Sequence, residues 1–113
     1  MNKPFIFALA LAGCILPAMA FAHAHLKDQA TSALEVRLDF SEGVETAFSE
    51  VTLSDTQGAT LETLPLATAA DDKSVLIVKP KTALIPGSYH LKWQVMSVDT
   101  HKSSGTFDFK IEP

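Results

Sequence analysis

Tyr89-His90-Leu91-Lys92-Trp93-Gln94-Val95-Met96 is the stretch whose reading decides the fold. Tyr89, Leu91, Trp93 and Val95 alternate with His90, Lys92, Gln94 and Met96. Successive side chains of a strand point to opposite faces, so this period of two describes a strand with one face in a core and one face toward solvent. On that reading Tyr89 and Trp93 are core residues and His90 faces solvent. The turn residues Ile85-Pro86-Gly87 precede the strand, and polar residues, Ser97 to His101, follow it.

The same period recurs on both sides. Leu34, Val36, Leu38 and Phe40 alternate with Glu35, Arg37 and Asp39. Val51 and Leu53 open another run, closed by the turn signal Asp55-Thr56-Gln57-Gly58, and Ala59 to Leu64 is a weaker one. Ser74 to Val78 is nearly continuous in β-branched and apolar residues, which predicts a strand buried on both faces between a turn at Asp71-Asp72-Lys73 and a stop at Pro80. Thr106 to Ile111 closes the chain, with Phe107, Phe109 and Ile111 on one face. No segment carries a 3.6-residue period. Strands at this spacing predict one all-β domain, an antiparallel Ig-like sandwich of about seven strands. The Cys…Trp…Cys pattern of true immunoglobulin domains is absent, so that likeness is one of architecture.

The beginning of the chain differs in kind. One positive residue, Lys3, precedes an apolar run from Phe5 to Ala22, and Ala20-Phe21-Ala22 places small residues where signal peptidase reads them. This predicts a secretory signal over residues 1–22 and a domain over 23–113. Pro17 interrupts the run and no basic stop-transfer cluster follows, which argues against a membrane anchor. Leu11-Ala12-Gly13-Cys14 also fits a bacterial lipobox, with Cys14 lipidated. Cutting there would leave the apolar stretch Ile15 to Ala22 dangling, so cleavage after Ala22 is the expectation.

The whole chain carries nine Lys and Arg against thirteen Asp and Glu. Loss of Lys3 makes the domain more acidic still, which disfavours nucleic acid and anionic membrane surfaces. Cys14 leaves with the signal, so the exported domain rests on its apolar core without disulfides.

Cleavage after Ala22 would make His23 residue one. Its α-amine, with an ordinary pKa near ~8, loses its proton to a metal readily. Amine and imidazole on one residue close a chelate ring, and nitrogen donors in a plane suit Cu(II). Asp99 and His101, two apart, point to the same side of an extended segment. Together the three predict a tetragonal N/O site. His23-Ala24-His25 is also an amino-terminal X-X-His sequence, which binds Cu(II) or Ni(II) through the amine, two deprotonated amides and the His25 imidazole without any fold. His25 is therefore a secondary candidate. Glu42, at a strand end, is a candidate acceptor for a ligand imidazole or the terminal amine.

These features resemble a known family. A signal ending in Ala, the start His23-Ala24-His25-Leu26, then Leu38-Asp39-Phe40-Ser41-Glu42, Leu84-Ile85-Pro86-Gly87-Ser88-Tyr89, Trp93, and Ser97-Val98-Asp99-Thr100-His101 through Gly105-Thr106-Phe107 look like the CopC family of periplasmic copper-binding proteins. The resemblance implies a seven-stranded Greek-key β-sandwich and a Cu(II) site made of His23, by amine and ring, with Asp99 and His101. It implies a carrier or buffer in copper resistance or homeostasis, not an enzyme. Its partners would be the copper ion and an inner-membrane copper transporter or a periplasmic cuproenzyme. Many members carry a methionine-rich loop for Cu(I). Here Met96 is the one methionine beyond the signal, so no Cu(I) site is expected. The segment Lys27 to Ala33 is shorter than usual and lacks proline, which predicts a truncated first strand. Two other readings stand beside this one: a copper oxidase built on the same histidine chelate, and a metal-free structural or interaction module, a lipoprotein if Cys14 is used.

Overall fold

The computed structural model describes residues 24–113. The signal segment, Cys14 and His23 lie outside the described residues. Eight strands form two four-stranded antiparallel sheets: β1 (Leu26–Thr31), β2 (Val36–Phe40), β3 (Glu50–Asp55), β4 (Thr60–Leu61), β5 (Ala67–Ala69), β6 (Asp72–Val78), β7 (Gly87–Met96) and β8 (Lys102–Ile111). One sheet has the order β1-β2-β6-β5 and the other β4-β3-β7-β8. The chain crosses between sheets after β2, β4 and β6, so β2 pairs with β6 and β3 with β7 across long stretches of sequence. This is the expected all-β Greek-key sandwich, with eight strands among the described residues where about seven were predicted.

The core lies where the alternation placed it. Val36, Leu38, Leu53, Leu76, Val78, Leu91 and Val95 are wholly buried, and Phe40, Tyr89 and Trp93 nearly so. Phe40 of one sheet meets Trp93 of the other edge to face, with ring centroids 5.0 Å apart. Aromatic pairs prefer this arrangement, which sets a positive ring edge on a negative face. β8 lies flat against that ring because Gly105 is opposite Trp93 in the ladder. A Cβ at Gly105 would stand 2.6 Å from the indole.

Four details differ from the sequence reading. Leu34 is exposed, not the first inward residue of β2, because Ser32 folds the β1–β2 turn. Its hydroxyl accepts the amides of Leu34 and Glu35, and its amide donates to the Glu35 carbonyl. β6 begins at Asp72, inside the expected turn; Asp72 Oδ1 accepts both the amide and the hydroxyl of Ser74. Leu76 and Val78 are buried while Val75 and Ile77 are half-buried, so one face of β6 is in the core and the other only partly covered. β1 is not truncated: it runs six residues along β2 with one irregularity between Leu26 and Asp28.

Candidate metal centre

The candidate site lies at the tip of the β7–β8 hairpin. The last ladder pair is Met96 with Lys102. Beyond it the Ser97 amide donates to the His101 carbonyl (2.9 Å) and the Thr100 amide to the Ser97 carbonyl (2.8 Å). Val98-Asp99-Thr100 is thus a three-residue hairpin loop, a type I turn followed by a residue in the left-handed region. That residue is Thr100, with φ of 71°. The sequence reading placed Asp99 and His101 on one side of an extended segment, and the structure corrects this. They meet because the turn reverses the chain. Asp99 Oδ1 is 3.3 Å from His101 Nδ1, each side chain about half exposed.

Ser97 organises the pair from beneath. It is the one buried polar residue among those described, with no exposed surface. Its hydroxyl donates a short hydrogen bond to Asp99 Oδ1 and lies 3.3 Å from the His101 amide, which it accepts. A hydroxyl has one proton to donate, and it points at the Asp99 carboxylate; the His101 carbonyl, 3.2 Å away, already accepts the Ser97 amide. The Ser97 hydroxyl, and after it His101, holds the Asp99 carboxyl below the usual carboxylate range.

Two further segments reach this tip. In the β2–β3 connection the Gly43 carbonyl accepts the Val98 amide, Val44 bridges Ser97, and the Glu45 amide donates to the Met96 carbonyl. Gly43 sits so close to Lys73 and Val98 that a Cβ there would be 3.2 Å from each. This brings Glu42, half-buried, to the neighbourhood of the loop. The second segment is the start of the described chain. Ala24 is 1% exposed, and its carbonyl accepts the Ser103 hydroxyl at 2.8 Å. The His25 amide donates to Ser41 Oγ (2.8 Å), and the Ser41 amide returns a bond to the His25 carbonyl (2.8 Å). Ser103 is two residues past His101, so the chain is fastened beside the hairpin one residue after His23.

Among the described residues no three His, Cys, Asp or Glu side chains gather closely enough to hold a metal ion. Asp99 and His101 come together; neither His25 nor Glu42 completes a trio with them. The third donor of the predicted set, His23, lies outside the described residues. His90 is on the outer face of its sheet, as expected, with Nδ1 2.6 Å from Asp108 Oδ1. Tyr89 is in the core, its hydroxyl bonded to the Ile85 carbonyl. Met96 is half-buried at the strand end. Two open clefts, of about 540 and 610 Å³, flank the start of β7 around Asp55, Ser88 and Tyr89, at the far end of that strand from Asp99 and His101. Sequence reasoning gave no role to Ser103 and none of its own to Ser41 or Ser97. An inward strand position filled by a serine, as at Ser103 opposite Val95, is the signal that a backbone group needs a partner there.

Comparison with known proteins agrees with this architecture. A family model described as CopC domain matches residues 23–112. Protein YobA of Escherichia coli (strain K12) is 34% identical over 116 residues, covering 96% of this chain and 93% of that protein. Copper resistance protein C of Pseudomonas syringae pv. tomato is 28% identical over 124 residues, covering 99% and 98%. The crystal structure of CopC from Methylosinus trichosporium OB3b superposes with a TM-score of 0.70 at 29% identity, over 80% of this chain and 95% of that one.

Proposed function

The chain belongs to the CopC family, and from that premise we propose that it is an exported, periplasmic protein that binds one Cu(II) ion through His23, Asp99 and His101. In this reading the signal is removed after Ala22, and the new terminus supplies an amine and an imidazole. The protein is a carrier or buffer in copper resistance or homeostasis rather than an enzyme. An inner-membrane copper transporter or a periplasmic cuproenzyme would receive the ion.

The observation that carries this reading is the bond from Ser103 to the Ala24 carbonyl. It joins the residue next to His23 to the strand that begins just after His101, although the two are far apart in sequence. The donor chemistry fits as well. A neutral imidazole that donates from Nδ1 carries its lone pair on Nε2, so the Asp99 contact orients His101 as a nitrogen ligand. Ser97 and His101 occupy Asp99 Oδ1, leaving Oδ2 as the oxygen to offer a metal. Carboxylate oxygen and imidazole nitrogen beside an amine suit Cu(II) rather than soft Cu(I), and Met96 is the one thioether in the domain.

The test is a Cu(II) titration of protein that begins at His23, followed by electron paramagnetic resonance. A single leading glycine removes the chelating amine, and His101→Ala removes the distant ring. Each is expected to weaken binding at least ten-fold and to change the spectrum. Unchanged affinity and spectrum in both variants would overturn the assignment.

A further inference from the structure

A terminus reading His23-Ala24-His25 has two ways to hold a metal, and the fold bears on the choice between them. In the local mode the ion replaces the amide protons of Ala24 and His25, which pass to the buffer. It then sits in a plane of amine, two amide nitrogens and the His25 imidazole. This mode needs the backbone of Ala24 and His25 to curl around the ion. It also withdraws the terminal amine from any site shared with Asp99 and His101.

The peptide group between Ala24 and His25 is held at both ends. Its carbonyl accepts the Ser103 hydroxyl and its N–H donates to Ser41 Oγ, each at 2.8 Å. Ser41 follows β2 in one sheet and Ser103 lies in β8 of the other, so the two hydroxyls grip one amide from opposite layers. A second bond, from the Ser41 amide to the His25 carbonyl, fixes the next unit, and the Ala24 side chain is packed in the core. Of the two N–H groups that the local mode must deprotonate, that of His25 is therefore a bound donor. Wrapping would break these bonds and draw Ala24 into water.

We propose that Ser41 and Ser103 clamp the Ala24–His25 peptide group so that the folded protein excludes the amino-terminal X-X-His chelate, reserving the terminal amine for the Asp99–His101 site. The two serines are positioning residues: they set the coordination mode and need not touch the ion. The inference rests on the reading that His23 is the first residue of the mature chain. It also makes the fold a filter against Ni(II), which favours the square-planar wrapped geometry.

Ni(II) alone is the probe, added to the mature protein beginning at His23 and to a free peptide, His-Ala-His-Leu-Lys, of the same terminal sequence. The readout is the absorption of the diamagnetic square-planar complex. A typical hydrogen bond corresponds to about five-fold in an equilibrium. The folded protein is expected to form the wrapped complex at least about 25-fold less readily than the peptide. Ser41→Ala and Ser103→Ala should each recover about five-fold, while S41T and S103T, which keep the hydroxyl, should behave as wild type. Wild type unfolded in urea should match the peptide, a comparison that holds even where an alanine variant fails to fold. Equal wrapping by folded protein and peptide, or folded alanine variants indistinguishable from wild type, would overturn the clamp. Cu(II) resonance of His101→Ala separates this outcome from the function itself. If Cu(II) ignores His101 while folded protein still resists Ni(II), the copper site falls and the clamp stands. If Cu(II) needs His101 and Ni(II) wraps freely, the clamp alone falls.

Discussion

Ser97 shows how much one hydroxyl can set. It has no surface in contact with solvent, and it binds Asp99 and the His101 backbone at once. Ser97→Ala strips the His101 amide of its acceptor, a loss of about 1 kcal/mol, and frees the Asp99 carboxylate. Urea unfolding should show that loss without copper, and Cu(II) affinity should fall as well, because Asp99 is no longer held in one orientation. The acid response follows from the same bond. Asp99 is held below the usual carboxylate range in the folded protein, chiefly by Ser97 and then by His101. A carboxyl whose native pKa is depressed stabilises the fold fully above its unfolded value, near ~3.9, and that contribution disappears as pH falls through the lowered native value. The stability gap between wild type and Asp99→Asn is therefore expected to be widest above about pH 5 and to close in strong acid. Thermal unfolding of both proteins without metal across that range checks it; a gap that widens on acidification would contradict the assignment.

The hairpin of β7 and β8 carries both the core and the candidate site, and its two strands were unequally legible. β7 announced itself because Tyr89, Leu91, Trp93 and Val95 all face the core. In β8 the apolar signal begins only at Phe107, although the strand starts at Lys102. The reason is volume. Trp93 fills the space opposite Gly105, and the Ala24 carbonyl takes the hydroxyl of Ser103, so those inward positions hold small residues with no hydrophobic pattern. β1 was hard to read for another reason: its middle residues are exposed, and backbone pairing to β2 holds it. The sequence singled out Asp99 and His101 on the geometry of an extended segment, and the turn that in fact pairs them was not legible, since Thr100 occupies a left-handed position where glycine is the usual signal. Two substitutions test these accounts. Gly105→Ala should cost about 1–3 kcal/mol, because backbone and indole cannot both stay in place. Thr100→Gly should stabilise by about 0.5–1 kcal/mol, as relief of a β-branched residue from positive φ outweighs the added freedom of the unfolded chain. Denaturant midpoints at unchanged slope would read both; a destabilised Thr100→Gly would mean that the turn draws more from the threonine side chain than its backbone costs.

At the scale of the molecule, the hairpin tip, the β2–β3 connection and the start of β1 converge on one end of the sandwich, tied by backbone bonds from Val98 to Gly43 and from Ser41 to His25. A Cu(II) ion held there by His23, Asp99 and His101 would link segments that separate on unfolding, so binding should stabilise the folded state. The unfolded chain would not be metal-blind, however, because a chain cleaved after Ala22 would present His23-Ala24-His25, which wraps an ion without a fold. Linkage therefore depends on the ratio of the two affinities, not on the folded affinity alone. With Cu(II) held 100-fold more tightly by the folded state, saturation adds about 2.7 kcal/mol, a rise in Tm on the order of 10 °C for a domain of this size. Ni(II) should do the reverse. If the clamp disfavours wrapping about 25-fold, saturating Ni(II) pulls toward the unfolded chain by about 2 kcal/mol and lowers Tm. His101→Ala should turn Cu(II) from stabilising to neutral or destabilising, since only the wrapped mode then remains, and a chelator should restore the metal-free Tm in every case. Thermal melts with each ion, on wild type and on His101→Ala, give four signs that a single affinity could not reproduce. Cu(II) and Ni(II) both raising Tm in wild type would show that the folded chain holds Ni(II) more tightly than the unfolded chain does, against the clamp, and no shift with either ion would show that folded and unfolded chains share one local site.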